Sequence, residues 1–253
     1  MPFFSIIIPT YNRAHTVGKT LESCLGQDFS DFEIIVVDDG STDNTREVVN
    51  AFRSKKVQLI PLPVNQGVNI ARNRGAASAR GEWLIFQDSD DTFTGNALEL
   101  LKRLTQSGPE LVFSSCVTPD GRPVSSHPDF SGQVSFKEYL GEKYKGEYLP
   151  MVRRKTFLKV MHFEDIRGGE GICWNRIAGM TGKVYISSEI TRIYDNRGTD
   201  RLSLKGKNYC RLAGVFAKDL EVLAPDYLRH CPMTLVKKTV KYLIYRTMAL
   251  FNR

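Results

Sequence analysis

The chain has 253 residues, of which 42% are hydrophobic and 25% are charged, and its formal net charge is +7. This length supports one main domain with a sizeable core. No stretch approaches the roughly 18 apolar residues of a spanning helix, no signal peptide precedes the first strand, and the five cysteines lack metal-ligand spacing, so we expect a cytoplasmic protein.

The first ninety or so residues predict three successive strand-turn-helix units. Three short runs are rich in β-branched side chains and predict strands, at residues 4–9, 33–37 and 57–60. A turn follows each run, and apolar residues at helical spacing follow each turn; the first of these helices begins at Val17. Units of this kind build a mostly parallel, twisted sheet with right-handed crossovers. We therefore predict an α/β fold with a single Rossmann-like sheet flanked by helices.

Acidic residues follow two predicted strands at the point where each strand ends. Asp38 and Asp39 come after the second strand, and three aspartates follow the buried run 83–86. These three are Asp88, Asp90 and Asp91. Carboxylates packed this closely repel one another, and a bound divalent cation is the usual way to offset that cost. From spacing alone, a metal site and a solvated acidic turn are both compatible with the run.

The turn after the first strand argues against a dinucleotide-binding domain. That turn, residues 10–13, has no glycine, whereas the dinucleotide fingerprint needs glycines there so that the backbone can approach a pyrophosphate. A phosphoacceptor domain of the response-regulator kind would also cluster aspartates at strand ends. It would not explain the segment 65–75 or the chain beyond residue 130.

Three strings, in this order, resemble family 2 glycosyltransferases of the GT-A fold, of the type that builds bacterial surface polysaccharides. They are SIIIPTYNR at 5–13, IIVVDDGSTDNT at 34–45 and NQGVNIARNRGAASARGEWLIFQDSDD at 65–91. The resemblance is strong over roughly the first hundred residues, weak to about residue 195 and slight beyond it. It implies a catalytic domain at 1–200, with a nucleotide-sugar-binding half at 1–95 and an acceptor-binding half at 96–200, followed by a basic helical extension at 201–253.

The resemblance also implies roles for single residues. The residues implied for donor binding are Pro9, Thr10, Tyr11, Asp38, Asp39, Gly67, Arg72, Asp88 and Arg201. Asp90 and Asp91 are implied as ligands of Mn²⁺ or Mg²⁺, which would stabilise charge on the leaving nucleoside diphosphate. Read without the resemblance, Arg72 and Arg201 are equally compatible with ordinary solvated arginines, and Tyr11 with core packing.

An inverting transfer needs a general base that takes the proton of the acceptor hydroxyl. The family places this base at a Glu-Asp pair before a helix in the second half, and the spacing to Trp174 puts Glu170 at that position. Gly171 stands where the second acid is common, which is a departure from the pattern. Glu164 or Asp165 remain alternative bases, and a glutamate that only complements a helix dipole remains the non-catalytic interpretation.

The positive charge is concentrated near the C-terminal end. Residues 201–253 hold eleven Lys and Arg against three Asp and Glu. Within 234–253 one helical face is largely apolar, formed by Val236, Val240, Leu243, Ile244, Thr247 and Phe251. Such a helix either lies on an anionic membrane surface or packs on the catalytic domain. No nucleic-acid-binding motif accompanies the charge, so we expect no nucleic-acid partner.

Together these features predict a metal-dependent, inverting glycosyltransferase. It would move one sugar from a nucleotide-sugar donor, UDP-linked, to a saccharide or lipid-linked acceptor, in the cytoplasm or at the inner face of the cytoplasmic membrane. The Gln-x-x-Arg-Trp motif of processive synthases is absent, which favours one transfer per encounter. A nucleotidyltransferase and a non-catalytic nucleotide-sugar-binding module remain as alternatives, although the first would be expected to carry a glycine-rich, basic loop after its first strand.

Overall fold

The computed structural model describes residues 1–197 and 208–251. Within them the strands are β1 (Phe4–Thr10), β2 (Phe32–Asp38), β3 (Val57–Pro61), β4 (Trp83–Phe86), β5 (Thr92–Phe93), β6 (Leu111–Val117), β7 (Gly132–Val134), β8 (Tyr148–Arg153) and β9 (Val184–Ile193). The α-helices are α1 (Val17–Leu25), α2 (Thr45–Ala51), α3 (Val68–Ser78), α4 (Ala97–Leu104), α5 (Phe136–Leu140), α6 (Arg154–Val160), α7 (Glu170–Thr181), α8 (Tyr209–His230) and α9 (Pro232–Phe251).

The described strands form one sheet in the order β3-β2-β1-β4-β8-β6-β9-β5, with β7 paired to β9. The predicted parallel arrangement is confirmed over the first four strands, because β1 pairs in parallel with both β2 and β4, and β2 with β3. Beyond β4 the sheet is mixed. β8 inserts antiparallel between β4 and β6, while β9 runs parallel to β6.

Both faces of the first strands are buried under helices. Ile6 and Ile8 of β1 pack into one apolar cluster with Leu21 of α1, whereas Ile7 packs into a second cluster with Ile177 of α7. Each such side chain contributes about 1.5–3 kcal/mol when it leaves water. Burial on both sides explains why these strands are continuous apolar runs rather than alternating ones.

Parallel pairing brings the carboxyl ends of β1, β2 and β4 to one edge of the sheet. Thr10 at the end of β1 lies opposite Asp38 at the end of β2, and the acidic run 88–91 follows β4. Open α/β sheets bind their ligands at this edge. The fold therefore brings together the loops in which the sequence predicts functional residues.

Helices α8 and α9 form a hairpin joined by the single residue Cys231. Tyr245 near the end of α9 contacts Tyr209 at the start of α8, which makes the pair antiparallel. Leu223 of α8 is buried in a small cluster with Ile172 of α7, whereas α9 has no buried residue among those described. None of the helices in the described ranges is both long enough and apolar enough to cross a bilayer.

Candidate active site

A cavity of about 1040 Å³ opens at the carboxyl edge of β1, β2 and β4. Most residues expected at the site line it, namely Pro9, Thr10, Tyr11, Asp39, Gly67, Arg72, Asp88, Asp90 and Glu170. Asp38 and Asp91 are buried outside this lining. Arg201 lies outside the described residues. The structure thus gathers in one space residues from both halves of the chain.

Asp39 shapes the wall of the cavity next to β2. Its carboxylate accepts hydrogen bonds from the backbone N–H groups of Gln66 at 2.7 Å and Gly67 at 2.8 Å. Burial raises the pKa of this carboxyl, and the two amide hydrogen bonds oppose the rise. Gly67 has a φ of 104°, which side-chain-bearing residues rarely adopt. The contact ties the loop before α3 to the end of β2.

Asp38 is fully buried and directed away from the cavity. Its carboxylate forms an ion pair with Arg46 of α2 and accepts a hydrogen bond from the N–H of Ser41 at 3.2 Å. Arg46 also donates to the carbonyl of Leu62 at 3.1 Å. In this structure the Asp38 carboxylate holds the turn after β2, and its contact with a donor stays a prediction.

The acidic run after β4 divides between the cavity and the interior. Asp88 and Asp90 line the cavity, whereas Asp91 is 1% exposed and accepts a hydrogen bond from the N–H of Asp195 at 2.9 Å. Burial raises the pKa of Asp91 to about 8. The positive charge of Arg192 opposes this rise, whereas repulsion from Asp88 and Asp90 adds to it. Asp91, expected beside Asp90 as a metal ligand, is buried here and binds the Asp195 backbone, and its role toward a metal stays a prediction.

The cavity-facing carboxylates suit a hard divalent cation in a site that a ligand completes. No group of three or more His, Cys, Asp or Glu side chains is arranged to hold an ion within residues 1–197 and 208–251. Mg²⁺ is usually held by one or two carboxylates plus substrate phosphates rather than by a complete protein cage. Asp88 and Asp90 provide such a pair on the cavity wall. The residues present therefore fit the metal that the resemblance implies.

Arg192 is a site residue that sequence reasoning missed. It extends from β9, is 2% exposed, and approaches Asp88 at 3.5 Å and Asp91 at 3.4 Å. Its Nη2 donates to the carbonyl of Tyr148 at 3.2 Å. A buried guanidinium requires partners of this kind, because an unpaired charge in the interior is costly. The available signal was an arginine within the β-branched run at 190–193.

Arg72 connects the acidic run to the expected base. Its guanidinium donates from Nη1 to Glu170 at 2.5 Å and from Nη2 to Asp88 at 3.0 Å. Arg72 is buried, so the interpretation as a solvated surface arginine is wrong. Glu170 is the first residue of α7, and its side chain is 41% exposed. The Arg72 charge is the main cause that holds the pKa of Glu170 below its usual value.

The two alternative acids do not line the cavity. Glu164 accepts a hydrogen bond from the Nδ2 of Asn73 at 3.0 Å. Asp165 forms an ion pair with Lys218 of α8 at 2.8 Å. Among the three acids considered as the base, Glu170 is the one in contact with the cavity.

Arginines from several elements face the same space. Arg13, Arg167 and Arg211 line it together with Arg72 and Arg192. The planar guanidinium fork matches the oxygens of a phosphate group. Arg211 belongs to the first turn of α8, so the C-terminal hairpin also contributes to the cavity. The arginines can hold an anionic diphosphate beside the carboxylates of Asp88 and Asp90. The ionised carboxylate of Glu170 lies in the same cavity.

Comparison with known proteins agrees with this chemistry. The family model described as "Glycosyl transferase family 2" matches residues 5–163. The GalNAc(5)-diNAcBac-PP-undecaprenol beta-1,3-glucosyltransferase of Campylobacter jejuni is 29% identical over 250 residues, which cover 91% of this chain and 80% of that protein. The UDP-Glc:alpha-D-GlcNAc-diphosphoundecaprenol beta-1,3-glucosyltransferase WfgD of Escherichia coli is 38% identical over 96 residues, 38% of each chain. The match thus spans less than half of WfgD.

A solved structure shows the same fold. The crystal structure of S. aureus TarS 1-349 in complex with UDP-GlcNAc superposes with a TM-score of 0.72 at 22% sequence identity. The match covers 88% of this chain and 67% of that one. At this level of identity the likeness supports the GT-A fold alone. It agrees with the mixed sheet flanked by helices that is described above.

Proposed function

This chain belongs to glycosyl transferase family 2, and on that premise we propose that it transfers one sugar, with inversion, from a UDP-sugar to a lipid-linked saccharide in surface polysaccharide synthesis. The observation that carries the proposal is the cavity itself. Arg72, Asp88, Asp90 and Glu170 face one space at the carboxyl edge of the sheet. An anion-binding group, a pair of metal-competent carboxylates and an ionised base are the parts that glycosyl transfer from a nucleotide donor requires.

A UDP-linked donor is supported by the named relatives and by the chemistry of the cavity. TarS holds UDP-GlcNAc in its crystal structure, and WfgD is named for UDP-Glc. We assign the nucleotide to residues 9–11 and Asp39 at the ends of β1 and β2. The diphosphate would then extend toward Arg72, where guanidinium groups and the Asp88 and Asp90 carboxylates meet.

Asp88 and Asp90 would hold Mn²⁺ or Mg²⁺ together with the donor diphosphate. When bound, the ion stabilises negative charge on the departing UDP. Asp91 and Arg192 fix the loop on which these ligands lie, through the hydrogen bond of Asp91 with the Asp195 N–H and the ion pairs of Arg192. The protein's own residues therefore hold the acidic run in place independently of a ligand.

Glu170 is the base in this proposal. The acceptor hydroxyl oxygen forms a bond to the anomeric carbon while the bond from that carbon to the diphosphate oxygen breaks and UDP departs. The hydroxyl proton passes to the Glu170 carboxylate. Arg72 orients this carboxylate through the 2.5 Å hydrogen bond and keeps it ionised by lowering its pKa.

The outward face of α9 is proposed to lie on an anionic membrane. Its large apolar side chains are between 45% and 83% exposed, and they are Met233, Val236, Val240, Leu243, Ile244, Met248, Leu250 and Phe251. The opposite face contacts α8, where Tyr245 meets Phe216 and Lys238 pairs with Asp219. This exposure supports a membrane-facing surface over the alternative expectation that the apolar face packs on the catalytic domain.

Charge complements this apolar face. Exposed Lys237 and Lys241 flank it on one side of the helix and Arg246 on the other. Each basic residue near an anionic cytoplasmic leaflet is worth about 1 kcal/mol, and burial of the apolar face adds to that. The two glucosyltransferase relatives are named for undecaprenol-linked acceptors. Attachment to the inner face of the cytoplasmic membrane would bring the active site to an acceptor of this kind.

A thermal-shift screen of nucleotide sugars, with and without Mn²⁺, tests the proposed donor. We expect UDP-sugars to raise the melting temperature more than GDP- or ADP-sugars do, and Mn²⁺ to increase the effect. Stabilisation by nucleoside triphosphates alone would instead favour a nucleotidyltransferase. A protein that no nucleotide sugar stabilises would contradict the proposed function.

A further inference from the structure

A second cavity, of about 340 Å³, lies between the α8–α9 hairpin and the rest of the chain. It adjoins the larger cavity, because Tyr139, Tyr144 and Gly146 line both. The proposed base lies at the junction. Glu170 lines the larger cavity, while its neighbours Gly169 and Gly171 line the smaller one.

The walls of the second cavity combine aromatic rings with hydrogen-bonding groups. Tyr144 precedes β8, and Phe216 comes from α8. Glu142, Lys145 and Asn175 supply a carboxylate, an ammonium group and an amide. A sugar ring presents C–H faces, which suit an aromatic surface, and hydroxyl groups, which suit carboxylates and amides. The lining therefore offers both kinds of contact that a saccharide uses.

An ion-pair network fixes the hairpin wall of this cavity. Lys238 of α9 lies 3.0 Å from Glu142 and 3.2 Å from Asp219 of α8. The hydroxyl of Tyr227 donates to Asp219 at 3.1 Å. Lys238 and Asp219 are largely buried, and their contacts hold both helices against the loop after α5. A wall held this way is preorganised for a ligand.

We propose that the second cavity binds the saccharide of the acceptor, and that the α8–α9 hairpin supplies one side of that site. The proposal rests on the proposed glycosyl transfer. In an inverting displacement the acceptor oxygen approaches the anomeric carbon from the side opposite the leaving diphosphate. The residues assigned to the nucleotide, 9–11 and Asp39, line the first cavity and not the second. Gly169 and Gly171, the residues on either side of Glu170, line the second cavity, so a saccharide held there lies beside the proposed base and apart from the residues assigned to the nucleotide.

The chain offers a matched pair of glycine variants to test this site. Gly171 lies in the first turn of α7, and a Cβ built there meets no atom within 4 Å. Gly214 of α8 has the same open surroundings and lines neither cavity. Leucine is a much better helix former than glycine, so Gly171→Leu and Gly214→Leu should both fold. Only the first of these side chains fills the proposed saccharide site.

Saturation-transfer NMR with the methyl α-glycosides of GlcNAc, GalNAc, glucose and galactose, in the presence of UDP and Mn²⁺, provides the readout. We expect at least one glycoside to bind the unaltered protein. Gly171→Leu should weaken that binding about tenfold or more, because the added side chain overfills the cavity. Gly214→Leu should leave the binding unchanged. Absence of glycoside binding to the unaltered protein, or binding that Gly171→Leu does not weaken, would overturn the proposal.

Calorimetric titration with UDP separates the two levels of inference. All three proteins should bind UDP with the same affinity, since neither Gly171 nor Gly214 belongs to the cavity lining that contains residues 9–11 and Asp39. An unaltered protein that fails to bind UDP would contradict the proposed function. If the unaltered protein binds UDP but Gly171→Leu does not weaken glycoside binding, only the proposed acceptor site is contradicted. Loss of UDP binding in Gly171→Leu would also overturn it, because the cavity would then serve the donor.

Discussion

Replacement of Glu170 by glutamine isolates its role as a base from its role in the structure. The change keeps the shape of the side chain and removes its negative charge and basicity. Loss of a positioned general base costs about 10²–10⁴-fold in turnover. This corresponds to about 3–5 kcal/mol in the activation free energy. We expect Glu170→Gln to reduce kcat by that amount.

Folding and donor binding should be affected far less. The amide oxygen of glutamine can still accept from Arg72, which also keeps its 3.0 Å contact with Asp88. Because the Glu170 side chain is 41% exposed, solvent screens the lost charge interaction, and we expect a stability loss of no more than about 1 kcal/mol. In this variant Arg72 keeps its positive charge and has one negatively charged partner fewer. Its attraction for a diphosphate should therefore be maintained.

The assay is UDP release from a UDP-sugar in the presence of acceptor, with UDP affinity measured by calorimetry. Glu164→Gln and Asp165→Asn are matched controls, since each removes a nearby carboxylate that lies outside the cavity. Both should retain most of the turnover. If Asp165→Asn slowed transfer more than Glu170→Gln while the protein remained folded, the assignment of the base would be refuted.

Four further substitutions probe the site and the surface. Because Arg72 lowers the pKa of Glu170, turnover of the unaltered protein should fall only when the pH drops below the usual glutamate range. In a pH–rate profile, Arg72→Met should shift this fall in turnover to higher pH. Asp90→Asn should make the UDP affinity measured by calorimetry insensitive to Mn²⁺, whereas the UDP affinity of Asp91→Asn should still depend on Mn²⁺. The reverse result would identify Asp91 in place of Asp90 as the metal ligand. Leu243→Asp on α9 should reduce cosedimentation with anionic vesicles, as should added salt, and unchanged sedimentation would count against the membrane surface.

The first half of the fold was predictable because its signals are local. Runs of β-branched residues locate β1 and β2, and a turn followed by helical spacing marks each crossover. Parallel pairing then brings the ends of these strands together with the acidic run after β4. The position of Asp39 and Asp90 at one edge of the sheet follows from those rules alone.

The second half depends on contacts between residues distant in the sequence. The antiparallel insertion of β8 and the approach of Arg192 to Asp88 join segments that no local pattern connects. Adjacent aspartates also differ in ways that composition does not reveal, since Asp90 faces the cavity and Asp91 the interior. Gly171, noticed in the sequence only as a missing acid, lines a second cavity that exists because the C-terminal hairpin packs beside α7.

Product analysis of a single reaction tests glycosyl transfer most directly. The protein would be incubated with a UDP-α-sugar, Mn²⁺ and GlcNAc linked through a diphosphate to a short lipid, and the products followed by NMR. We expect UDP to form in a one-to-one ratio with a β-linked disaccharide product, which establishes both transfer and inversion. Formation of an α-linked product, or release of inorganic pyrophosphate in place of UDP, would contradict an inverting glycosyltransferase at this site.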